Sequence, residues 1–133
     1  MAESPMKTEQ QRPPADGPHR EYFKDGALAA EGHYANGRKT GLWTYYLKNG
    51  KVKARGRYAD DQLTGEWGWW RANGALLQTG AFEAGQQTGL WRRWHDNGQL
   101  LDEGGYAAGR KAGVWKTWDR SGKLVRETTV KAR

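Results

Sequence analysis

A single period of 24 residues governs most of this chain. Trp43, Trp67, Trp91 and Trp115 follow one another at that step, and so do Gly41, Gly65, Gly89 and Gly113. Gly26, Gly50, Gly74, Gly98 and Gly122 keep it, as do Gly32, Gly56, Gly80 and Gly104, so most of the 19 glycines mark a repeat. One aromatic column runs Tyr22, Tyr46, Trp70, Trp94, Trp118. Another runs Tyr34, Tyr58, Phe82, Tyr106 and ends in Val130, and an aliphatic column runs Leu28, Val52, Leu76, Leu100, Leu124. A fixed period of this size restricts the chain to an array of like units, each burying its apolar face against its neighbours.

The residues inside one unit select strands. Around Asn49-Gly50 the apolar residues Leu47, Val52, Ala54 and Tyr58 alternate, and the aromatic and β-branched content favours extended chain. Asn-Gly accepts positive φ at both central positions, which predicts a type I′ hairpin turn, repeated at Asn73-Gly74 and Asn97-Gly98. Ser121-Gly122 and Asp25-Gly26 are weaker versions of it. Counting outward from a two-residue loop pairs Leu47 with Val52, Tyr45 with Ala54 and Trp43 with Gly56. A glycine opposite the indole gives the ring room. The same count pairs Trp67 with Gly80 and Trp91 with Gly104, and leaves Trp115 facing Thr128. A three-residue loop with a bulge would regroup these columns, and both registers fit the sequence. The polar stretch between Tyr58 and Trp67 predicts a second tight reversal, with Gly41 and its equivalents in the turn.

No segment has helical periodicity, and the glycine density penalises helix. The expected fold is all-β: an elongated, twisted, single-layer antiparallel meander of about nine or ten strands, roughly 45 Å long at the usual interstrand spacing. Its core is the aromatic columns.

The phrase EGHYANGRKTGLWTYYLKNGK carries a recognisable pattern in Gly32, Tyr34, Gly37, Gly41, Trp43, Tyr46 and Asn49-Gly50. It resembles the MORN repeat, in the bacterial variant of the YwqK-type toxin-antitoxin system antitoxin family. Later units match it almost as well, with Asp61 at the Gly37 position and Phe82 in place of tyrosine; residues 21 to 130 are covered. The resemblance implies a sheet of stacked hairpins that serves as a scaffold or binding module, with proteins or acidic phospholipids as partners. It supplies no catalytic residue.

Residues 1–20 differ in kind. They hold all four prolines and balance Glu3, Glu9 and Asp16 against Lys7, Arg12 and Arg20, which predicts a disordered tail ahead of a repeat domain at 21–133. That domain reads as a leading half repeat and four full ones. There is no cysteine, hence no disulfide or thiolate chemistry. No apolar run reads as a signal or a membrane span, which predicts a cytoplasmic protein. His19, His33 and His95 lack metal-ligand spacing, and no carboxylate pair or phosphate loop stands out. The expectation is a protein that is not an enzyme and has no cofactor or metal.

Function then rests on positions that the repeat leaves free. Tyr45, Trp69 and Arg93 share one such column, Arg92 and Lys116 another, and Arg55, Arg57 and Arg71 lie beside them. These eight residues are the candidate partner site, where aromatic stacking and charge act together. The net charge of +7 lies in the repeats. A protein partner, such as a toxin, is the first expectation and an acidic phospholipid surface the second. Nucleic acid ranks last, since no nucleic-acid motif is present. The open sheet edges predict a monomer or an end-to-end homodimer.

Overall fold

The computed structural model describes residues 14–131. Ten strands form one antiparallel sheet in chain order: β1 (Gly17–Tyr22), β2 (Leu28–Ala35), β3 (Arg38–Tyr46), β4 (Val52–Ala59), β5 (Gln62–Trp70), β6 (Leu76–Glu83), β7 (Gln86–Trp94), β8 (Leu100–Ala107), β9 (Arg110–Trp118) and β10 (Leu124–Val130). The meander expected from the period is therefore the observed fold. Five hairpins, β1–β2 through β9–β10, are the repeating units.

The first unit begins earlier than the composition suggests. Residues 17–20, expected in the tail, lie in β1 and pair with Glu31 to Tyr34. Gly17 and His19 sit 24 residues before Gly41 and Trp43. His19 fills the tryptophan place, edge-on to Tyr34 with ring centroids 4.8 Å apart. The opening hairpin is a full unit rather than half of one. The rest of the expected tail, residues 1–13, lies outside the described residues.

The Asn-Gly reversal takes the three-residue loop rather than the type I′ turn. At Asn49-Gly50 the Gly50 N–H donates to Leu47 O at 2.9 Å and the Leu47 N–H donates to Lys51 O at 2.8 Å. Gly50 has φ +86°, whereas Asn49, Asn73 and Asn97 do not enter positive φ. This is a three-residue loop with glycine at its left-handed position, so Val52 pairs with Tyr46 instead of Leu47. Asparagine suits it because its Oδ1 accepts the Lys51 N–H at 2.9 Å, which steadies the turn without positive φ. The type I′ geometry occurs at the other reversal. There Asn36-Gly37, Asp60-Asp61, Ala84-Gly85 and Ala108-Gly109 all have positive φ at both positions. Asp61 holds φ +68° where its equivalents are glycine, and its Oδ1 accepts the Lys39 N–H at 2.7 Å.

Gly41 and its equivalents are not in a turn. They sit inside β3, β5, β7 and β9 at positive φ, where Gly41 to Trp43 oppose the single residue Gly32. This bulge sets the core. The Trp43 ring turns back over Gly32, Trp67 over Gly56, Trp91 over Gly80 and Trp115 over Gly104; a β-carbon built on any of these glycines falls within 2.2 Å of the indole. Trp43 does pair with Gly56 across its own hairpin, as expected. The glycine it covers, however, belongs to the preceding unit, and Trp115 has one like the others. The Trp43 indole N–H donates to His33 O at 3.1 Å, and Trp67 and Trp115 bond Arg57 O and Gly105 O in the same way.

Trp43, Trp67 and Trp91 are buried at 0%, 4% and 5% exposure although no second layer covers the sheet among the described residues. Neighbouring rings supply the cover. Tyr58, Phe82 and Tyr106 stand edge-on between successive indoles, and Tyr34 between His19 and Trp43, at centroid distances of 4.8–6.4 Å. Tyr45 and Trp69 stack in the troughs between them. Each such pair contributes about 0.5–1.5 kcal/mol beyond the area it buries.

The spine predicts alkaline lability. The Tyr45 and Tyr58 hydroxyls lie 2.9 Å apart, and burial raises the pKa of both, with their mutual hydrogen bond raising Tyr58 further. Burial raises Tyr34 as well. Folding thus holds these protons more tightly than the unfolded chain, which releases them near about pH 10. The stabilisation is complete below that pH and is lost as pH rises through the higher folded values. Thermal midpoints should be level up to about pH 10 and fall above it. Tyr45→Trp with Tyr58→Phe, which copies the Trp69 and Phe82 pair, should flatten the fall. An unchanged slope in that variant contradicts the assignment.

Candidate partner-binding face

Strand alternation gives the sheet two unlike faces. The spine face carries the indoles. The opposite face carries the second aromatic column near the hairpin turns, where Tyr46 pairs with Val52, Trp70 with Leu76, Trp94 with Leu100 and Trp118 with Leu124. All four rings are half-buried, and Trp70 folds down over Gly68 of its own strand.

The eight candidate residues divide between these faces. Tyr45 and Trp69 belong to the spine, where they stack on Trp43, Trp67 and Trp91. Arg93 shares that face and forms a two-pronged ion pair with Asp102, Nε to Oδ1 at 3.1 Å and Nη2 to Oδ2 at 2.6 Å. Arg71 lies in a hairpin turn and donates to Trp94 O at 2.7 Å, one rung of a ladder between successive turns. Asn49 and Asn97 add rungs through Ala72 O and Arg120 O. Arg55, Arg57, Arg92 and Lys116 remain, and they sit on the opposite face. Pairing spaces Arg55 beside Thr44 and Gly68, Arg57 beside Leu42 and Thr64, Arg92 beside Thr79 and Glu103, and Lys116 beside Glu103 and Glu127. The basic residues therefore share a surface with aromatic rings, but the rings are Tyr46, Trp70 and Trp94. Their 24-residue spacing was visible in the sequence; their face was not.

This open face has mixed charge. Arg20 pairs with Glu31 at 3.5 Å and Arg92 with Glu103 at 3.0 Å. The Tyr46 hydroxyl donates to Glu31 at 2.5 Å, and that bond, with burial second, raises its pKa. Arg55 and Arg57 are exposed and form no ion pair among the described residues. A shallow groove of about 530 Å³ runs past Arg20, Leu42, Thr44, Tyr46 and Arg55, and another of about 370 Å³ past Leu90, Val114 and Lys116. Among the described residues no cluster of three His, Asp or Glu side chains could hold a metal ion, and no helix is long and apolar enough to cross a membrane.

A sheet of hairpins with glycine-floored tryptophans at fixed period defines a repeat protein of the MORN type. The pattern of the MORN repeat variant matches residues 15–36, 39–60, 87–107 and 111–132, more than half of the sequence, and the chain belongs to that family. The first match covers the unit that opens with β1. The unit at β5–β6, which carries Asp61 and Gly68, lies outside the matches yet adopts the same fold. No curated protein matches the sequence. Two solved structures are similar in part. A mutant of S. aureus TarM, in complex with fondaparinux, alpha-GlcNAc-glycerol and UDP, is 13% identical over 72% of this chain and 19% of its own, with a TM-score of 0.46. The GtfA/B complex bound to UDP and GlcNAc is 15% identical over 89% of this chain and 24% of its own, with a TM-score of 0.33. The chain thus spans about a fifth to a quarter of those proteins, and likeness at this level has no bearing on activity.

Proposed function

We propose that this chain is a non-catalytic, cytoplasmic module that takes a protein partner on its open face, in the manner of an antitoxin-like neutraliser. Its MORN repeats make it a repeat-based interaction module, which is the frame for this reading. The observation that carries it is that the half-buried rings of Tyr46, Trp70 and Trp94 share with Arg55, Arg57, Arg92 and Lys116 a face that nothing in the described chain covers. Aromatic and arginine side chains dominate protein interfaces energetically, and a specific interface needs about 800 Å² per partner, which a ten-stranded sheet provides. The ion pairs of Arg20 and Arg92 weigh against an acidic-lipid surface, since each carboxylate offsets a cation that a membrane would use.

With the full chain as bait, a partner captured at physiological salt should be lost when Arg55→Ala, Arg57→Ala and Trp70→Ala are combined. Loss of two or more hot-spot contacts weakens binding by about 30-fold or more. Arg93→Ala, on the spine face, should capture as before. Equal capture by both variants overturns the assignment of the face. Flotation with acidic but not neutral vesicles, with no protein captured, replaces this reading by the lipid one.

A further inference from the structure

The spine is filled by stacked rings in two of its three inner troughs. Tyr45 occupies the trough between Trp43 and Trp67 at centroid distances of 6.1 and 6.4 Å, and Trp69 occupies that between Trp67 and Trp91 at 6.0 and 5.7 Å. Between Trp91 and Trp115 the equivalent residue is Arg93, and it does not fill the space. A cavity of about 250 Å³ opens there. The two indoles line it with Tyr106, which stands edge-on to both at 5.4 and 5.3 Å, and the polar side chains of Gln78, Gln87, Arg93, Asp102 and Lys111 complete the lining.

The charged groups around this cavity are a matched set. Arg93 is drawn aside by Asp102, which is buried to 7% exposure, and Lys111 lies over the Trp115 ring at 4.4 Å. Two cations and one carboxylate leave a net single positive charge at the cavity. The edge-on residues supply the second half of the match. Tyr45 bonds the Tyr58 hydroxyl at 2.9 Å, while Trp69 has Phe82 in that place, which offers no hydroxyl. Tyr106 offers one, forms no hydrogen bond among the described residues, and has no stacked ring beside it in its trough.

We infer that this trough is a binding site for a small aromatic carboxylate, whose ring stacks between Trp91 and Trp115 as Tyr45 does between Trp43 and Trp67. Its carboxylate faces the Arg93 and Lys111 cations, and a ring hydroxyl takes the place of the Tyr45 hydroxyl against Tyr106. The wanted properties are flatness, one negative charge and a size near one six-membered ring. Stacking and charge-assisted hydrogen bonds are the forces that select them.

The test is titration of the full chain with 4-hydroxybenzoate, read by tryptophan fluorescence. Saturable binding with a Kd of about 1 mM or tighter is expected for a ligand of this size. Acetate and phenol should each bind at least about tenfold more weakly, because each lacks half of the match. The decisive variant is Arg93→Tyr with Asp102→Ala, which rebuilds the Tyr45 and Ala54 pairing of an intact trough and so retains the fold. It should lose the site while melting no lower than the parent. Lys111→Gln should weaken binding without refilling the trough. Binding by the refilled variant equal to that of the parent overturns the proposal, as does acetate binding as well as 4-hydroxybenzoate, or no saturation by about 10 mM.

Discussion

Gly56→Ala is expected to destabilise the protein by about 3–5 kcal/mol, comparable to losing a core tryptophan, for the addition of one methyl group. The new β-carbon would lie 2.1 Å from the Trp67 ring, which fills the space over the glycine and is itself buried at 4% exposure. The indole cannot retreat into the sheet, so it must swing away, and it gives up its contacts with Tyr58 and its bond to Arg57 O. Gly50→Ala is the natural comparison. That position has open space and φ +86°, so alanine there meets only the backbone cost, about 1–2 kcal/mol. Chemical denaturation of both variants checks the order; equal losses would mean that the packing of the ring on the glycine is not what stabilises the sheet.

Trp67→Ala should cost a similar 3–5 kcal/mol or about that, and its combination with Gly56→Ala should cost scarcely more than Trp67→Ala alone. Once the ring is gone, the methyl group at residue 56 has nothing to strike. The interaction energy of the pair should therefore reach about 3 kcal/mol. Two residues 11 apart in sequence and in different units would then behave as one structural element. Simple additivity in the cycle would refute the inter-unit assignment and favour the pairing of Trp67 with Gly80 across its own hairpin.

That distinction also measures what the sequence could convey. Period, strand order and meander were readable because they depend only on which residue types recur. The register at Trp43, Tyr45 and Gly56 was readable too, because a hairpin can be counted from its turn. What failed were contacts that cross from one hairpin to the next. A bulge at Gly41 brings Trp43 over Gly32, and no count within a hairpin reaches that glycine. The turn at Asn49-Gly50 departs from expectation because asparagine followed by glycine fits two loop types, and the carboxamide bond to Lys51 N–H selects the second. The first unit was concealed by substitution rather than by phase, with histidine in the tryptophan place. The candidate site mixed two faces for a related reason. Tyr45 and Tyr46 are adjacent in sequence and both aromatic, yet alternation sends one into the spine and leaves the other beside Arg55 on the open face.

The backward reach of each indole gives the array a direction, like shingles laid from one eave. Every one of these tryptophans settles on a glycine that precedes it by 11 residues, never on one still to come. A chain emerging amino end first therefore presents each new ring with a floor already in place. Growth from the other end would leave every ring waiting for its seat. Thr128, at the position the glycines hold elsewhere, has a side chain where an indole would settle, so β10 offers no floor for another ring.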